Sequence, residues 1–139
     1  MLGVMRKHIN NNKGVTLVEL LAVLIILGII ALIAVPAIAG VIDDSRYNAI
    51  KSSAINYIEA AELYVVTQDV EAGTNFSAAD LTGYIDDRGG VTWNATGPSF
   101  SYDGTKVTIT GTAKNKDVTV TFTNNSVEEI NEMKRSKKQ

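Results

Sequence analysis

One carboxylate stands where carboxylates are expensive. Glu19 lies between Val18 and Leu20, at the head of a run, 20–42, that holds no charged residue. An ionisable side chain inside a hydrocarbon layer costs about 2.5–3.5 kcal/mol near a helix centre and less near its end. A plain anchor has no use for it; the bland alternative leaves Glu19 in the headgroup zone. The other titratable residues offer less. His8 is the sole histidine and sits in the basic segment before the run. Asp43-Asp44, Asp86-Asp87 and Glu128-Glu129 are adjacent pairs. Neighbouring side chains diverge on helix and strand alike, so these are expected to be solvated charges rather than acid/base dyads. There is no cysteine, which removes disulfides, thiolate metal sites and thiol nucleophiles. Gly89-Gly90 lacks the strand-to-helix context of a phosphate loop. No catalytic residue, metal site or cofactor is expected.

The chain has 139 residues, room for one small domain and an anchor. Its apolar residues concentrate between Val15 and Ile42, and the remainder is rich in Thr, Asn, Ser, Asp and Gly. At about 1.5 Å per residue, the uncharged run is long enough to cross a hydrocarbon core about 30 Å thick. Arg6, Lys7 and Lys13 precede it, which puts the N-terminus in the cytoplasm and the rest outside. An ordinary signal anchor would look similar. So would a secretory signal cut before Gly40, since Ala37-Ile38-Ala39 resembles a small-residue cleavage site, although the run is long for such a signal.

Taken together, Lys13-Gly14-Val15-Thr16-Leu17-Val18-Glu19-Leu20-Leu21 resembles the processing site of type IV prepilins and pseudopilins. The likeness spans about residues 13–42 and is to the cysteine-free, Gram-positive-like members. Val15 departs from the family's usual Phe. The resemblance implies that a membrane prepilin peptidase removes a 1–14 leader after Gly14. Val15 then becomes the N-methylated mature N-terminus. Glu19 pairs with the amine of a neighbouring subunit in a homopolymer. Gly28 and Pro36 fall where the family weakens this helix for filament packing. The physics agrees. A helix N-terminus carries about half a positive charge besides its amine, and a carboxylate four residues on shares its face. In a low-dielectric core, pairing removes the cost of leaving either charge alone.

Organisation follows as leader 1–14, transmembrane and filament-core helix 15–42, and globular domain 43–139. Ile42, Ala49, Ile50, Ala54, Tyr57, Ile58, Ala61, Tyr64 and Val65 form a stripe at helical spacing, so one helix is expected from about Val15 to about Gln68. Tyr57 and Tyr64 are assigned to packing. Residues 69–90 read as a linking loop, with a capped turn at Ser77-Ala78-Ala79-Asp80 leading to Leu81 and a turn at 86–90. Strands are expected at 91–94, 99–102, 106–110 and 117–123, with Asp103-Gly104 and Asn115-Lys116 as turns. Val107, Ile109, Val118, Val120 and Phe122 alternate with threonines, so one sheet face meets the helix and a threonine face meets water. The fold class is α+β, a long helix on an antiparallel sheet of three or four strands within 91–123. Ser126-Val127-Glu128-Glu129 caps a last short helix touching through Ile130 and Met133. The tail 124–139 carries Lys134-Arg135-Ser136-Lys137-Lys138, expected to be solvated, disordered and dispensable for assembly.

The leading expectation is a structural subunit of a surface filament serving adhesion, motility or aggregation, held first in the cytoplasmic membrane. A pseudopilin of a DNA-uptake or secretion machine, and a monomeric membrane-tethered binding module, are the alternatives. The formal net charge of −2 becomes −5 once the three leader cations are lost. That disfavours nucleic acid as a partner but leaves it open through the basic tail. Some pseudopilins hold calcium; no spaced Asp/Asn run here supports a site. Asn75-Phe76-Ser77 and Asn94-Ala95-Thr96 fit the glycosylation pattern, which is short and frequent by chance.

Overall fold

The computed structural model describes residues 14, 16–86 and 89–136. Arg6, Lys7, His8, Lys13, the expected mature start Val15, Asp87, Arg88, Lys137 and Lys138 lie outside the described residues. The chain forms two units, Met1–Ile38 and Ala39–Gln139, each described on its own.

Helix α1 runs without interruption from Leu17 to Gln68, and Pro36 lies inside it. In the first unit its large apolar side chains are exposed; Leu24 is 66% and Leu32 78% accessible. This part of α1 is long and apolar enough to cross a membrane. The helix stops because Asp69 turns left-handed, with φ 50°. Val70 N–H then closes back onto Val65 O at 3.0 Å, the six-residue closure of a Schellman end.

The second unit packs the outer part of α1 against a five-stranded antiparallel sheet. Its strands are β1 (Asn75–Ser77), β2 (Thr92–Trp93), β3 (Ser99–Tyr102), β4 (Val107–Asn115) and β5 (Val118–Asn125). β3 lies between β1 and β4. β4 also pairs with the short β2 and with β5. A 3₁₀ turn, Ala78–Leu81, follows β1 with Ser77 and Asp80 forming its capping box. The final helix α2, Val127–Glu132, starts on a Ser126–Glu129 capping box.

Three expectations need correction. The sheet has five strands rather than three or four, because Phe76 draws a piece of the expected linking loop onto the edge of β3. The expected strand 106–110 extends to Asn115, since β4 is flanked by partners along its length. Ile42 is not part of the packed stripe; it is exposed, while Tyr47, Ser53 and Ala60 are buried instead.

The core unites Ile50, Ala54, Ile58 and Ala61 of α1 with Phe100, Ile109, Ala113 and Phe122 of the sheet. Aromatic rings join the layers. Tyr57 meets Trp93 edge-on at 5.4 Å and stacks near Phe100 at 6.2 Å, and Tyr64 lies 5.1 Å from Phe76. The Trp93 indole N–H reaches Ser53 Oγ at 3.4 Å, which gives a half-buried donor its partner. Gly111 is needed for closeness. A Cβ there would stand 3.3 Å from Pro98 Cα and 3.4 Å from the Trp93 ring. The threonine face holds with one exception. Thr110, Thr119, Thr121 and Thr123 are exposed, but Thr108 is buried and donates to Asn124 Oδ1 at 2.6 Å.

Candidate processing and assembly site

Gly14 is exposed and non-helical, with no atom within 4 Å of where a Cβ would stand. Two residues later α1 begins on a reciprocal cap. Thr16 N–H donates to Glu19 Oε2 at 2.9 Å, and Glu19 N–H donates to Thr16 Oγ1 at 3.2 Å. The first helical backbone bond, Leu20 N–H to Thr16 O, measures 3.1 Å. The first amides of a helix have no partner within it, and a Thr-x-x-Glu pair satisfies two donors at once. Glu19 therefore has a local structural task besides its charge. Its Oε1 takes no hydrogen bond among the described residues, and the side chain is exposed. Thr16 has no expected role from the motif alone; the Thr-x-x-Glu spacing is the sequence signal for its cap.

Gly28 and Pro36 lie on one face of unbroken helix, where they line an apolar depression with Ala31, Leu32 and Val35. The missing Pro36 N–H leaves the Leu32 carbonyl without its usual donor, yet the helix continues through it and through Ala37–Gly40.

One residue of the basic tail, Arg135, departs from its sequence-based description. Arg135 donates to Asp44 Oδ1 at 2.8 Å, to Asp43 Oδ2 at 3.1 Å and to Gly40 O at 3.5 Å. Hydrogen bonding to Asp44 raises its already high pKa further. Arg46 bridges Asp43 at 3.3 Å and Asp117 at 3.7 Å. Lys51 Nζ donates to Asn131 O and Met133 O, both at 3.0 Å, binding the end of α2 to α1. Arg135, expected to be solvated, is thus paired to the helix, while Lys134 and Ser136 are exposed as expected, and Asp43-Asp44 is an ion-pair site rather than two free charges. The Arg135 and Lys51 contacts span eighty or more residues of sequence, so no local pattern announces them.

Among the described residues no group of three or more His, Cys, Asp or Glu could hold a metal ion. Asn75 and Asn94 are both exposed. Tyr57, Tyr64, Phe76, Trp93, Phe100 and Phe122 pack ring against ring in the core.

An exposed glycine, a capped carboxylate and an exposed apolar helix together fit a membrane-anchored precursor. Residues 9–35 match the family described as the prokaryotic N-terminal methylation motif. The chain therefore carries the type IV pilin and pseudopilin signature, that of a structural rather than an enzymatic family. No curated protein and no solved structure matched the chain.

Proposed function

We propose that this protein is the polymerising subunit of a type IV pilus-like surface filament. The observation that carries this reading is Glu19, a carboxylate that among the described residues accepts through one oxygen only, in the first turn of an exposed apolar helix close to Gly14. Cleavage after Gly14 would leave a new amine on Val15. In a filament, the Glu19 of an incoming subunit meets that amine on the subunit before it, which fixes axial register and removes the cost of two isolated charges. The bare side chains of 17–42 then bury against those of other subunits, and Gly28 and Pro36 give the helix local freedom to adapt. The second unit keeps its own core and becomes the filament's surface.

The signature covers both pili and pseudopili, and an experiment separates them. Cells expressing the chain are sheared, and the released material is imaged with antibody against residues 43–136. Long labelled filaments in wild type, absent from a deletion strain, support the pilus reading. Loss of DNA uptake or protein secretion in the deletion strain, with no filaments in either strain, would instead assign the chain to a pseudopilus.

A further inference from the structure

The last residues of the chain travel down α1 toward the end of the second unit where the apolar run begins. Val127 and Glu128 line a cleft with Glu62. Asn131 O and Met133 O accept from Lys51 Nζ. Arg135 then reaches Asp44, Asp43 and Gly40 O. The positions met in turn on α1 are 62, 51, 44 and 40, a descent of about 33 Å at about 1.5 Å per residue. All of them belong to the second unit. Gly40 lies inside the uncharged run 20–42. The Arg135 strap therefore ends at the level where α1 enters the apolar layer.

The charges at this level are sorted by the strap. Asp43 and Asp44 are the first charged residues after the run, and alone they would repel an anionic headgroup layer. Arg135 pairs with both, and Arg46 pairs with Asp43, so two cations offset two anions. Asp117 shares Arg46 and stands next to Lys116. Lys134 is exposed and has no ion pair among the described residues. Lys137 and Lys138 follow in the sequence. Glu128 lies back at the level of Glu62, far up the helix. The balance beside the exit of α1 is positive.

We infer that Lys134, with Lys137 and Lys138, binds the phosphate headgroups of anionic lipid in the leaflet from which α1 emerges, and that Arg135 holds the tail at that level. The potential of an anionic leaflet falls off within a Debye length, about 8 Å at physiological salt. A cation must be kept near the surface to feel it, and the strap does so by fixing the residue beside Lys134 to the first charged turn of α1. Each cation so held strengthens the contact about fivefold. The contact belongs to the membrane-held chain. It rests on α1 crossing the membrane, not on polymerisation.

The test uses the full chain reconstituted into vesicles of phosphatidylcholine, alone or mixed with phosphatidylglycerol. The protein has no cysteine, so Ser136→Cys, at an exposed position, carries a single fluorophore. Glu71→Cys, exposed just past the far end of α1, is the control. A spin label on the lipid headgroup quenches whatever lies at the surface. Quenching at 136 is expected to be roughly threefold or more greater with phosphatidylglycerol and to fall as salt rises. Lys134→Gln, Lys137→Gln and Lys138→Gln together should return it to the phosphatidylcholine value, while quenching at 71 stays low in both. Flotation with the vesicles reports the anchor separately. A chain that floats but shows equal quenching at 136 in both lipids would overturn the inference alone. A chain that floats with neither would overturn the anchor and the inference with it. Retention of duplex DNA lost in the triple variant, with quenching indifferent to phosphatidylglycerol, would assign the cations to nucleic acid instead.

Discussion

Glu19→Gln separates the two tasks that one side chain performs. The amide oxygen of Gln can still accept the Thr16 N–H that Glu19 Oε2 accepts at 2.9 Å, and Gln serves in capping boxes as Glu does. What it removes is the charge. Membrane insertion gets easier, by less than the roughly 2.5–3.5 kcal/mol of a mid-membrane charge because the residue lies in the first turn. Assembly loses the partner of a buried amine, and breaking a buried pair costs about 3–5 kcal/mol. At about 1.4 kcal/mol per decade, that weakens each subunit addition by roughly a hundredfold to several thousandfold. Glu19→Ala loses both tasks, adding about 0.5–2 kcal/mol of fraying at the helix start. Both variants are expected to accumulate as cleaved, membrane-held subunits, with no filaments in the sheared fraction. Glu19→Asp, one methylene shorter, gives partial assembly. The assay is a shear blot beside a membrane blot of the same cells. Normal filament yield from Glu19→Gln would show that the cap, not the charge, is what assembly needs, and the pairing argument would fail.

Phe122 is fully buried between sheet and helix, so Phe122→Ala is expected to destabilise the second unit by about 3–5 kcal/mol, read from its thermal melt. Asp103 accepts from Lys106 N–H, from the Thr105 hydroxyl and from Thr105 N–H. Led by the Lys106 bond, these lower its pKa from the ordinary carboxylate value to about 2. A carboxylate depressed in the folded state contributes stability that is fully present above the ordinary value and lost as pH falls through about 2. Melting temperature is therefore expected to drop between pH 4 and pH 2, and Asp103→Asn should flatten part of that fall. Arg135→Ala is expected to release the strap, raising amide hydrogen exchange at 131–136 at least tenfold while the exchange of β4 and β5 is unchanged.

Much of this structure was legible because it is local. An ionisable residue costs enough in an apolar run that Glu19 stands out unaided, and the apolar run of α1 follows from length and composition. Alternation placed Val107, Ile109, Val120 and Phe122 inside, and Asp103-Gly104 marked its turn, with Gly104 at φ 100°. What escaped was non-local. β1 has a single apolar residue, Phe76, and is a strand because β3 offers it an edge. Thr108 is buried because Asn124, at φ 55° beside the irregular Ile109/Gly111 register, turns toward it. The Arg135 strap joins residues 91 and 92 positions apart, and a basic tail looks the same in sequence whether it is solvated or paired.

The central claim is that a precursor is cut after Gly14 to release an amine one helical turn from Glu19. The intact mass and N-terminal sequence of the chain recovered from sheared filaments test it most directly. The account predicts a protein that begins at Val15, carries one added methyl group on its α-amine and retains Glu19. A chain beginning at Gly40 would make the apolar segment a secretory signal, and an uncut chain beginning at Met1 would make it a simple anchor; either would contradict the account.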